Sequence, residues 1–174
     1  MKNRPAAAFA FALLLAAAAI FAPAAARAGD ITYPKDTKPA FTFKLPDDWV
    51  SNDGAGGNLE IKSADSLGVV SLIVIDDADA AKMPLDEFGK QVFTAAGLKS
   101  VDKQEPDKLA GVKGLSLYGA QKVGDATVNV KVTIIHLDTT HLAVLTRGTN
   151  SAITPEELAI VNKVIASAKY LPAK

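Results

Sequence analysis

The sequence predicts an α+β fold, an antiparallel β-sheet of about six strands covered by two main helices. Three observations carry this. Apolar residues alternate with polar ones at Phe41, Phe43 and Leu45 and again at Val128, Val130, Val132 and Ile134, which is the period of a strand with one buried face. Two other stretches, Leu85, Phe88, Val92, Phe93, Ala96 and Leu158, Val161, Val164, Ile165, Ala168, repeat at helical spacing instead. The strand segments are separated by turn residues, so consecutive hairpins make the sheet antiparallel, and the helices are needed to cover it.

Residues 1–28 stand apart from this pattern. Lys2 and Arg4 precede an uninterrupted apolar run from Ala6 to Ala22, Pro23 breaks it, and Ala26-Arg27-Ala28 supplies small residues either side of a cleavage point before Gly29. This is the organisation of a secretory signal peptide cut near Ala28/Gly29. No cysteine follows the run, and there is none anywhere in the chain, so a lipid anchor is not expected and no disulfide can form. The full chain has 19 basic and 19 acidic residues; the leader holds Lys2, Arg4 and Arg27 and no acid, leaving 16 against 19. That mildly acidic balance argues against nucleic acid as a partner.

Residues 29–40 are polar, contain Pro34 and Pro39, and read as an extended lead-in to a single domain over 41–174. Phe41 to Leu45 is the first strand, ended by Pro46. Ser51 to Gly57 reads as a flexible turn and Asn58 to Lys62 as a second short strand. Gly68 to Asp76, GVVSLIVID, is β-branched and almost continuously apolar, as expected of a central strand buried on both faces. The first helix opens at Pro84, with Asp86 and Glu87 in its first turn, and closes at Gly97. Leu109 to Val123, a Gly124-Asp125 hairpin turn, Ala126 to Leu137, a turn near Asp138-Thr139 and His141 to Arg147 form a meander. The second helix begins in a capping box, Thr154-Pro155-Glu156-Glu157, with Ile153 and Leu158 placed for a hydrophobic staple, and is expected to run to Pro172.

LPDDW at the end of a short strand, GVVSLIVID leading into PLDEF, LAGVKGLSLYGA, HLAVLTRGT and the terminal TPEELAIVNKVIASAKYL together resemble the PsbP-like fold group. That group includes photosystem II PsbP, a Ran-binding nuclear import factor and DcrB-like bacterial envelope proteins. The resemblance implies a domain without catalysis that binds or stabilises a protein partner. The lipobox cysteine of the DcrB-like lipoproteins is missing here, so no stable membrane anchor is expected after cleavage.

Candidate chemistry is sparse. Asp47 and Asp48 beside Trp49, the only tryptophan, invite a sugar-site reading, but a glycosidase needs two carboxyls about 5–9.5 Å apart across the sugar. Adjacent residues point in different directions, so the motif reads as a turn followed by an aromatic folded back on the sheet. Trp49 is thus a core anchor, or failing that a partner-binding residue. His136 and His141 offer a possible metal pair: an even turn centred on Asp138 and Thr139 would set them opposite one another, with Cβ atoms about 4.5–5.5 Å apart. A Cu or Zn site wants three or four ligands, and only Asp138 is near, so a surface pair at a strand end is the plainer reading. Asp76-Asp77-Ala78-Asp79 departs from a calcium loop at Ala81, Gly54-Ala55-Gly56-Gly57 from a dinucleotide fingerprint at Leu59, and no serine sits in a nucleophile elbow.

The reading that follows is an exported, soluble, non-enzymatic accessory protein of the bacterial envelope, periplasmic or secreted, which needs no cofactor and acts by contact with another envelope protein. The alternative is a carrier of a small ligand or of Cu or Zn, using the His136/His141 pair or a pocket between sheet and helix.

Overall fold

A computed structural model describes residues 29–54, 57–65 and 67–173; the predicted signal peptide, residues 1–28, lies outside them. The strands are β1 (Gly29–Tyr33), β2 (Ala40–Leu45), β3 (Val50–Asp53), β4 (Leu59–Lys62), β5 (Gly68–Asp76), β6 (Lys103–Leu109), β7 (Val112–Val123), β8 (Ala126–His136), β9 (His141–Asn150) and β10 (Lys169–Leu171). The helices are α1 (Leu85–Ala95) and α2 (Pro155–Ala166), with one 3-10 turn at Ala80–Lys82. The class is α+β with antiparallel pairing throughout, but the strands form two sheets instead of one. Seven run in the order β3-β4-β5-β9-β8-β7-β6, and three in the order β1-β2-β10.

The large sheet is buried on both faces, and its period-2 side chains divide accordingly. Phe88, Val92 and Phe93 of α1 pack with Leu117, Val130, Val132, Ile134, Leu142 and Val144 on one face. On the other, the small sheet and α2 bring Phe41, Phe43, Trp49, Val161 and Val164 against Ile61, Val70, Leu72, Ala143 and Leu145. β5, third strand of the seven, contributes to both, as its continuous apolar run requires. Both helices lie close to the sheet at glycines: a Cβ on Gly89 would stand 2.7 Å from a Leu117 methyl, and one on Gly68 would stand 2.6 Å from a Val161 methyl.

Several boundaries differ from the sequence reading, each for a physical reason. Within the lead-in, Gly29–Tyr33 pairs with β2 from Gly29↔Leu45 to Tyr33↔Phe41, giving β2 a partner that its own alternation does not announce. Val50–Asp53 begins as a strand before the glycine-rich turn, zipped to β4 through Asp53↔Leu59. The single strand expected over 109–123 is broken at Ala110-Gly111, where both residues have positive φ, and the chain before it folds back as β6. β6 is an edge strand bearing Pro106 and four charged residues, Lys103, Glu105, Asp107 and Lys108, which is how exposed edges avoid further pairing. Pro84 is the N-cap of α1 and not its first helical residue. The capping box of α2 forms as expected, with Glu157 N–H donating to Thr154 Oγ1 and Thr154 N–H to Glu157 Oε2, but the helix stops at Ala166. The residues after it turn into β10, which adds to the free edge of β2.

Candidate functional site

Strand register builds a strongly polar surface on the α2-facing side of the large sheet. A single row of side chains runs across four strands: Lys103 opposite Tyr118, Tyr118 opposite Lys131, and Lys131 opposite Arg147. The next row is Glu105, Ser116, Thr133 and Leu145. Side chains directly across an antiparallel pair are within contact distance, so two lysines flank one tyrosine ring and Arg147 stands beyond the second of them. The Lys103 and Lys131 ammonium groups each sit 5.3 Å from the centre of that ring, at cation–π distance.

Most of this charge is neutralised locally. Lys131 Nζ lies 2.7 Å from Asp107 Oδ2, and Lys103 Nζ lies 2.7 Å from Glu105 Oε2. The Tyr118 hydroxyl donates to Glu105 at 2.6 Å, Ser116 donates to Asp107 at 2.6 Å, and the Ser116 and Thr133 hydroxyls share a buried bond of 2.8 Å. Burial works against ionisation of both Lys131 and Asp107, but their mutual hydrogen bond, with help from Tyr118 and Ser116, overrides it: Lys131 is held above the ordinary lysine range and Asp107 below the usual carboxylate range.

Arg147 is treated differently. Its Nη1 donates to Asn162 Oδ1 on α2 at 2.7 Å, while its Nε is enclosed and has no hydrogen-bond partner. No acid forms an ion pair with it among the described residues. Burial pulls its pKa below the ordinary arginine value, partly opposed by Tyr118. Above it a groove of about 350 Å³ opens between α2 and the sheet, bordered by Ile153 and Leu158 on the helix side and by Tyr118, Asn129 and Thr149 on the sheet side. A second cleft, about 420 Å³, separates β1 from β3. That one is spanned by the Lys35–Asp53 ion pair at 3.1 Å and by the Tyr33 hydroxyl bonded to the Gly57 carbonyl, so its charges are already matched.

The residues singled out from sequence are placed as follows. Trp49 is 3% exposed and lies within the core under the small sheet and α2, its N–H closing a turn onto the Pro46 carbonyl at 3.1 Å. That placement is the one a core anchor takes. Asp47 and Asp48 are exposed on the turn. His136 and His141 are not opposite each other, which corrects the expected pairing: His136 faces Leu142 and His141 faces Asp76. The ladder ends one residue earlier than a turn centred on Asp138 and Thr139 requires, and since His141 and Leu142 are neighbours on β9, the two imidazoles project from opposite faces. His141 is held by Asp138, with Nδ1 3.0 Å from Oδ1, and lies 3.6 Å from Asp76 through Nε2. Asp138 accepts first from the Thr140 backbone and then from His141, which lowers its pKa to about 2. Among the described residues no group of three or more His, Asp or Glu side chains is arranged to hold a metal ion. Asp77 caps the 3-10 turn through bonds to the Asp79 and Ala80 amides.

The Lys103–Tyr118–Lys131–Arg147 row had no mark in the sequence. Each residue is ordinary in its own strand, and only register brings them together.

No family model matches the chain, nor does any curated protein. Solved structures do. A crystal structure from Bacteroides thetaiotaomicron superposes with a TM-score of 0.55 at 13% identity, covering 75% of this chain and 45% of that one. The chain therefore spans less than half of that protein's length. LpqN, involved in cell envelope biogenesis of Mycobacterium tuberculosis, gives 0.51 at 13% identity over 83% of this chain and 91% of its own. The solution structure of cyanobacterial PsbP from Synechocystis gives 0.53 at 17% identity over 83% and 94%. The chain has the PsbP-like fold.

Proposed function

We propose that this protein is an exported, non-enzymatic accessory protein of the bacterial cell envelope that acts by binding another envelope protein. The observation that carries the reading is the near end-to-end correspondence with LpqN, a protein of cell envelope biogenesis, over 83% of this chain and 91% of that one. PsbP matches to a similar extent, so the fold is used as a free-standing unit in both. The leader-like residues 1–28 support export. No helix of the described residues is long and apolar enough to cross a membrane, which fits a protein released after cleavage. The inner polar surface supports binding over catalysis, because its acids are each engaged by a lysine or hydroxyl.

The test is expression of the tagged full chain in its own host, followed by osmotic release, N-terminal sequencing and crosslinking. The expected outcome is a shortened chain beginning near Gly29 in the released fraction, crosslinked to one envelope protein. Full-length chain retained with the cytoplasm, or released chain with no crosslinked partner, overturns the reading.

A further inference from the structure

Arg147 breaks a rule that its neighbours obey. Lys103 and Lys131 each have a carboxylate at 2.7 Å, whereas Arg147, more enclosed than a surface arginine, has none among the described residues and leaves Nε unpartnered. Directly across the β8–β9 ladder stands another cation, Lys131. A partly desolvated guanidinium lacking an acid costs stability, and a like charge opposite adds to that cost. Conflicts of this kind persist where something outside the chain completes the arrangement.

The surroundings say what would complete it. Asn162 fixes one side of the guanidinium by accepting from Nη1 at 2.7 Å, so the fork is already oriented when a ligand arrives. The groove above it has an apolar helix wall, Ile153 and Leu158, and a floor with hydrogen-bonding capacity at Asn129 and Thr149. Asp102 stands at the rim, its carboxylate accepting from Ser100 at 3.2 Å. A cationic floor beneath an apolar wall complements a molecule with one negative end and a nonpolar body. We infer that this groove binds an organic monocarboxylate, with the carboxylate on Arg147 and the apolar portion along Ile153 and Leu158. The site goes beyond the protein-contact reading and does not depend on it.

The experiment is an amide-resolved NMR titration of the protein, purified after expression of the full chain, with sodium octanoate. Octan-1-ol and sodium phosphate serve as probes lacking the charge and the apolar body respectively. Octanoate is expected to shift the amides of Tyr118, Asn129, Thr149 and Leu158 saturably, with octanol and phosphate each roughly tenfold weaker or worse. Arg147→Gln should weaken octanoate by roughly tenfold or more, the scale of one charge-assisted hydrogen bond. Leu158→Glu, a half-buried position on the helix wall, keeps the question answerable if Arg147→Gln misfolds: it sets a negative charge in the groove and should abolish binding. Absence of saturable shifts, shifts centred elsewhere, equal binding of octanol or phosphate, or undiminished binding by both variants overturns the proposal.

Discussion

Lys131 on β8 and Arg147 on β9 stand directly across from one another in the central ladder of the large sheet. The first is neutralised by Asp107 at 2.7 Å and the second has no acid partner among the described residues. Replacing the arginine with an uncharged side chain of similar length should therefore not weaken the fold. Arg147→Met is expected to leave stability unchanged or raise it by up to about 1 kcal/mol, as burial of an unmatched charge is relieved. Urea denaturation checks it, and a loss larger than about 1 kcal/mol would show that the Asn162 bond outweighs the charge conflict.

Trp49 lies beneath the small sheet with Phe41, Phe43 and Val164 in the same cluster. Trp49→Ala is expected to cost about 3–5 kcal/mol in denaturant unfolding, from lost burial plus the cavity left behind. A midpoint within error of wild type would place the indole outside the cooperative core.

Two glycines on the strands that flank β8 should respond unequally to a methyl group. On Gly114 a Cβ would lie 2.1 Å from the Ile134 carbonyl oxygen, a backbone atom that cannot swing aside, whereas on Gly148 it would meet only a Val128 methyl at 3.6 Å. Gly114→Ala is expected to destabilise by about 1–3 kcal/mol or more, and Gly148→Ala by under about 1 kcal/mol. Parallel thermal melts of the two variants check the contrast.

The β8–β9 connection carries an acid-sensitive contribution. Asp138 has its pKa lowered from 3.8 to about 2, first by the Thr140 amide and then by His141. Because the folded value is the lower one, the contribution is fully present above the unfolded pKa and is lost as pH falls from 3.8 toward about 2. Asp138→Asn should lower stability at neutral pH and flatten the decline across that acidic window. Denaturation midpoints of the two proteins that converge below pH 2 and separate above pH 4, roughly, fulfil this; curves that stay parallel throughout do not.

Legibility from sequence followed the range of the interactions involved. The two helices, the Gly124-Asp125 hairpin and the central position of GVVSLIVID were readable because caps, turn residues and apolar runs are local signals. Trp49 was readable as an anchor because a lone aromatic after a turn has few other uses. Gly29–Tyr33 and Lys169–Leu171 were not, since each is short, carries no strong alternation and becomes a strand only because β2 offers an edge on either side. β6 was hidden by Pro106 and by charges that suit an exposed edge. The histidine pair failed through register: one residue of difference moves a side chain to the other face. The cationic row was invisible for the same reason, because its members come from four strands aligned only by tertiary pairing.

β2 is flanked by Gly29–Tyr33 on one side and Lys169–Leu171 on the other. The small sheet therefore joins the first and last strands of the described chain through a single go-between, and its second seam cannot close until residues 169–171 have been made. Until then β2 is held along Gly29–Tyr33 alone, with its other margin open. For the same reason, clipping a few residues after Ala166 would strip one margin of β2 bare and leave a six-residue adhesive rim where the three residues of β10 now lie.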